Sequence, residues 1–262
     1  MLPSIRLLIL TIATIAAVAD AALENSPSNL PSPSTQPQGP QGSLADAPSL
    51  RLRVILKRKT MKVHGQYLFD VFARPVISAD GASARYDGFA TFINGDTQFT
   101  YMLVDGAAYM VETSGNGTTE ATTQTTRCVP TDVQFESIVS ALNNATIIPS
   151  ASVSDETLKC ADGSMLKTSV GGQDFVICAS GASGFIASSS DMAVAVEYLD
   201  APIKSISPPV KMEGSVACDG VGAYTSVTPT GLALLAGTGI PSANSRNLQK
   251  TMHQATNEST CS

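Results

Sequence analysis

The chain contains no tryptophan and only two histidines, His64 and His253, and aromatic residues make up 5% of its 262 positions. Each scarcity excludes something. Sugar platforms usually stack on aromatic faces, so the missing tryptophan weakens a carbohydrate-binding reading. His64 falls on the polar side of a predicted strand and His253 near the chain end, which leaves no Ser-His-Asp or Cys-His pair to argue from. The cysteines form no Cys-x-x-Cys pair, which disfavours zinc, and no acidic loop has the spacing of a calcium hand. Gly181-Ala182-Ser183-Gly184 lacks the spacing of a nucleophile elbow, and Gly237-Thr238-Gly239 has no third glycine to cradle a phosphate. No cofactor or metal site is expected. A hydrolase with paired carboxylates stays open, because such pairs come from distant strands.

Long apolar runs are also missing beyond the start of the chain. Arg6, the apolar stretch Leu7 to Val18 and the small-x-small Ala19-Asp20-Ala21 together predict a signal peptide over residues 1–21. That stretch is shorter than the roughly 20 residues a spanning helix needs, so the protein is expected to be secreted and not membrane-spanning. Residues 22–50 are rich in Pro, Ser, Gln and Gly and are read as a disordered linker. Residues 51–207 form the predicted β-rich domain, 208–240 an extension packed on it, and 241–262 a disordered tail.

The domain reads as mainly β, a long curved antiparallel meander with one inserted amphipathic helix. Met61, Val63, Tyr67, Phe69, Val71 and Ala73 alternate with polar residues, as do Met192, Val194, Val196 and Tyr198 further on. Period two is the signature of a half-buried strand. Asn94-Gly95, Asp105-Gly106, Asp162-Gly163 and Gly171-Gly172 supply hairpin turns between such runs. Phe135, Ile138, Val139 and Leu142 instead share one helical face, with Thr131 and Gln134 as a capping box. Thr228-Pro229 opens a second, short apolar helix.

A two-residue turn at Asp105-Gly106 has a consequence for function. It puts Phe99, Tyr101, Leu103, Ala108 and Met110 on one face, and Met102, Val104, Ala107, Tyr109 and Val111 on the other. A sheet with one wet face needs only one of these sets. Either other elements cover both sides, or a concave face forms a groove for a lipid or other apolar ligand. That groove would be lined by Phe99, Tyr101, Leu103 and Met110 with Phe135, Ile138, Val139 and Leu142 of the helix.

Five cysteines in a secreted chain suggest two disulfides among Cys128, Cys160, Cys178 and Cys218, with Cys261 left over. Connectivity stays open. Two tight turns would hold Cys160 and Cys178 on the outer strands of a ribbon, about 9–10 Å apart, too far for a bond unless the first turn is looser. Asn116, Asn144 and Asn257 each head an Asn-x-Ser/Thr tripeptide and are glycosylation candidates.

Charge is unevenly spread. Arg51, Arg53, Lys57, Arg58, Lys59 and Lys62 hold six of the 16 basic residues, in a chain of net charge −6. This run could contact anionic lipid or glycan, could be cut at Lys57-Arg58, or could protect an edge strand. A net-acidic secreted chain is not expected to bind nucleic acid.

Two blocks carry a resemblance. Arg127-Cys128-Val129-Pro130, with the 135–142 helix and Asn144-Ala145-Thr146, is similar to a recurrent block in a family of uncharacterised secreted proteins of oomycetes. So is Cys178 to Phe185 with Val196-Glu197-Tyr198-Leu199-Asp200; the likeness spans roughly residues 60–240. It implies a compartment and a lineage rather than an activity. Arg51-Leu52-Arg53 departs from the Arg-x-Leu-Arg motif of host-entering effectors of such organisms. A curved sheet around one helix also resembles in outline the half-barrel of bacterial lipoprotein carriers. The expectation is a non-enzymatic binding module for a lipid or other apolar ligand. An extracellular protein- or glycan-contacting module is the alternative, and a secreted hydrolase the third.

Overall fold

The computed structural model describes residues 42–115, 122–129, 137–153, 156–158, 160, 163–210, 218 and 220–240. The leader, most of the linker, the Thr131–Gln134 cap, Phe135, the sequons at Asn116 and Asn257, Cys261 and the 241–262 tail lie outside the described residues.

The protein is mainly β, built on an antiparallel sheet of 12 strands. Its strands are β1 (Leu50–Leu56), β2 (Leu68–Ile77), β3 (Ser83–Asn94), β4 (Thr97–Val104), β5 (Ala107–Gly115), β6 (Thr122–Cys128), β7 (Thr146–Ile147), β10 (Ser164–Val170), β11 (Gln173–Ala179), β12 (Phe185–Ser188), β13 (Met192–Tyr198) and β14 (Thr225–Ser226). Between them in the chain, β8 (Ala151–Val153) and β9 (Glu156–Leu158) form a small separate ladder. The two helices among the described residues are α1 (Ser137–Asn143) and α2 (Pro229–Ala236). No helix among these residues is long and apolar enough to cross a membrane.

The sheet is two meanders joined at the first strand. From β1 the chain steps outward to the edge at β6, crosses by way of α1 to the far edge at β7, and returns through β10, β11 and β12 to β13. Strand β13 then pairs with β1 from Leu50↔Tyr198 to Leu56↔Met192. The strand first in sequence is therefore central in space. Two turns match the sequence reading: Val104 pairs with Ala107 across Asp105-Gly106, and Val170 with Gln173 across Gly171-Gly172. At Asn94 the turn sits one residue later, since Asn94 pairs with Thr97 across Gly95-Asp96.

Alternation along these strands buries one face against the helices. Leu50, Ala73, Leu166, Ile177, Phe185 and Val196 meet Val139 and Leu142 of α1 and Leu234 and Leu235 of α2 in the main core. Thr168 Oγ1 donates to the Ala141 carbonyl at 2.5 Å and fixes α1 over β10. The helices are fastened by Asn143, whose Nδ2 donates to Ser226 O at 2.6 Å and whose Oδ1 accepts from Thr228 N at 2.9 Å. Thr228 in turn caps α2 by accepting from Gly231 N at 3.2 Å, which leaves Pro229 at the first turn, where its missing N–H costs nothing.

Three local expectations change. The strand read from Met61 begins only at Leu68, because His64 and Gly65 take left-handed backbone, with φ of 46° and 81°, and close a turn between Val63 and Gln66. Residues 42–50, read as linker, bring Leu44 and Leu50 into the core. Ile138, read on the buried helix face, is exposed, and the buried face runs through Val139, Ala141 and Leu142.

Both internal pairs of cysteines are bonded: Cys128 to Cys218 and Cys160 to Cys178, with Cα separations of 5.4 and 5.5 Å. A tight turn at Asp162-Gly163 would hold Cys160 and Cys178 too far apart for the second bond. Strand β10 pairs with β7 and β11, and no ladder to Cys160 occurs among the described residues. Gly163 lies so close to the Ala179 carbonyl that a Cβ would collide with it, and such a Cβ would also sit against Cys160 Sγ.

Candidate functional site

Strands β2 and β3 pair only from Phe72–Phe89 to Ile77–Ala84. Beyond Phe72 they separate, while β2 stays with β1 and β3 with β4. Aromatic side chains occupy the parting on the helix-bearing, inner face. Phe69 meets Phe92 edge-on with centroids 4.9 Å apart, and Phe92 meets Tyr101 the same way at 5.8 Å.

The loop between β1 and β2 closes over this cluster. Met61 is buried with Val54 and Leu56 as a second, smaller core, against which Val63, Phe69 and Val71 pack. His64 lies flat on Phe99 at 3.9 Å, and its Nε2 is 3.0 Å from Tyr101 Oη. Gln66 Nε2 donates to the Ile93 carbonyl at 3.2 Å, spanning the parting that the backbone leaves. Burial pushes the His64 proton affinity down, and the charge of Glu112 partly opposes this. Burial raises the Tyr101 phenol.

Phe99, Tyr101, Leu103 and Met110 share the inner face in the register the Asp105-Gly106 turn requires. All four are half-buried. The structure does not join them to the helix residues expected opposite: Val139 and Leu142 belong to the main core and Ile138 to the surface. On the outer face of the same hairpin Val104, Tyr109 and Val111 are buried. Cys128, the partner of Tyr109, ties Cys218 to that side, and Val221 N donates to Gly106 O at 2.6 Å. So the outer set is covered by the returning chain.

Sequence reasoning missed Tyr86. Its hydroxyl is buried without a hydrogen-bond partner, and burial raises its proton affinity far above the usual phenol range. Nearby Tyr198 donates to Leu234 O at 2.5 Å, and burial pushes its phenol up to about 12. A signal existed in the sequence, since Ala84, Tyr86 and Gly88 alternate onto one face, but only packing shows which tyrosine lacks an acceptor.

The basic run divides. Asp70 accepts from Arg51 at 2.7 Å and from Arg53 at 3.3 Å, and the Arg51 bond holds its carboxyl below the ordinary value despite burial. Lys57 Nζ donates to Ser189 O at 2.6 Å, and Arg58 pairs with Asp191. Lys59 and Lys62 are exposed and form no ion pair among the described residues. Of the sequons, Asn144 is exposed just past α1, two residues before exposed Thr146. No group of three or more His, Cys, Asp or Glu that could hold a metal occurs among the described residues. No protein-family model matches the chain, and no curated protein matches it.

Proposed function

We propose that this is a secreted, non-enzymatic binding module that holds a lipid or other apolar ligand against the inner face of its sheet. One observation carries the reading: where β2 and β3 part, an aromatic cluster stands beside the half-buried Leu103 and Met110, with a loop and not a strand closing it. Apolar surface of this kind gains roughly 25 cal/mol for each Å² that a ligand covers. Two disulfides fit an oxidising, extracellular compartment.

Native mass spectrometry of the protein secreted from a eukaryotic host tests this. An added mass that organic solvent extracts and denaturation releases is the expected result. A polypeptide carrying only disulfides and glycans would overturn the ligand reading. It would leave a protein- or glycan-contacting module, for which the exposed Thr122, Thr123 and Gln124 of the edge strand β6 are the surface to examine.

A further inference from the structure

We infer that the β1–β2 end of the sheet docks onto the surface of an anionic lipid bilayer. Nine large apolar side chains are exposed among the described residues, and four of them gather here: Ile55 at 43%, Tyr67 at 56%, Leu68 at 47% and Ile93 at 65%. Ile55 is the cross-strand partner of Leu68, and Tyr67 precedes it. The Gln66–Ile93 hydrogen bond brings β3 to the same end. Val54, Leu56 and Phe92 turn inward, so Ile55, Leu68 and Ile93 share the outer face. These three lie on the side opposite the proposed ligand, and the loop closes the same end of the sheet; the inference stands whether or not that ligand exists.

Charge decides the kind of partner. The loop carries Lys59 and Lys62, exposed and without an ion pair among the described residues, in a chain of net charge −6. Its neighbours Lys57 and Arg58 are anchored to Ser189 and Asp191, which holds the loop in place against the β12–β13 turn. Of the acidic groups near this end, Asp70 is matched by Arg51 and Arg53, Asp191 by Arg58 and Glu112 by Arg127 at 3.7 Å, while Asp96 lies in the β3–β4 turn. Apolar side chains and a tyrosine at one end of the sheet, with two exposed lysines on the loop that closes that end, match the layering of a bilayer interface. Acyl chains take the aliphatic groups, the headgroup zone takes tyrosine, and anionic phosphates take the ammonium groups. A second copy of the chain would bring like charges together. A protein partner would more typically meet arginine than lysine at its centre.

Sedimentation of the full secreted protein with vesicles tests this, comparing pure phosphatidylcholine with three parts phosphatidylcholine to one part phosphatidylserine. Preferential binding to the anionic vesicles, weakened by salt, is expected. Neutralising Lys59 and Lys62 should cost about five-fold each, from the usual worth of one cation near such a surface. Leu68→Ser with Ile93→Ser, at exposed positions where folding is spared, should also release the protein, which a purely electrostatic attachment would not show. Circular dichroism verifies that each variant is folded. Equal binding to both vesicle types, binding to neither, or binding untouched by both variant pairs overturns the proposal. Self-association lost with the same substitutions, or capture by an acidic polysaccharide but not by vesicles, overturns it in favour of that partner.

Discussion

At His64 the backbone turns left-handed and the ring drops flat onto Phe99, within reach of the Tyr101 hydroxyl. A histidine whose folded proton affinity lies below its unfolded value favours the neutral ring. Its stabilisation is complete above the ordinary value of 6.5 and is lost as the pH falls below it and through the lowered folded value. A proton NMR titration should therefore place the His64 midpoint below 6.5, with the denatured chain as reference. A midpoint above that would mean Glu112 outweighs burial. Asp70 acts in the same direction at more acid pH: its folded value is lowered, so the Arg51 contact is lost as pH falls through it. Gly231 is a second decisive residue, because a Cβ there would strike Asn143 Oδ1, which is already held by Thr228. Gly231→Ala should cost about 1–3 kcal/mol in urea unfolding.

Among the elements, the helices separate what periodicity shows from what packing decides. The i, i+3, i+4, i+7 pattern marks α1, yet Ile138 on that stripe faces water because α2 lies against Val139 and Leu142 instead. A paired substitution checks this. Leu234→Ala, at a site almost without exposure, should cost about 2–5 kcal/mol, whereas Ile138→Ala should stay within about 0.5. Equal losses would place Ile138 in the core after all. The β1–β2 loop shows the same division from the other side. Met61, Val63 and Tyr67 alternate as a strand would, but two left-handed residues between them force a turn, and Met61 finds its core from a loop.

For the whole molecule, the two disulfides have unequal weight. Cys128–Cys218 closes 90 residues and ties the edge strand β6 to the chain that returns toward α2, while Cys160–Cys178 closes 18. Chain entropy predicts about 4–5 kcal/mol for the long link and about 3 for the short one. Cys128→Ser with Cys218→Ser should therefore lower the thermal midpoint more than Cys160→Ser with Cys178→Ser. The reverse order would indicate that the link near β10 and β11 relieves packing around Met165 rather than restricting the unfolded chain.

What the residues determine by themselves is local: alternation along β13, the register of the Asp105-Gly106 hairpin, the capped start of α2 and the mainly β class. These follow from period-two burial and from the few dipeptides that accept left-handed backbone, both of which operate within a handful of residues. Tertiary structure decides the rest. That β1 is central, that α1 lies between two meanders, and that Cys160 reaches Cys178 depend on which distant apolar faces meet. The candidate site belongs to this second group. Phe69, Phe92, Phe99 and Tyr101 come from three strands, and His64 from a turn. They gather only because β2 leaves β3 beyond Phe72, an arrangement with no signature in any one segment. The basic run behaves alike: six charges look equivalent in sequence, and only the fold shows that Lys59 and Lys62 have no ion pair among the described residues.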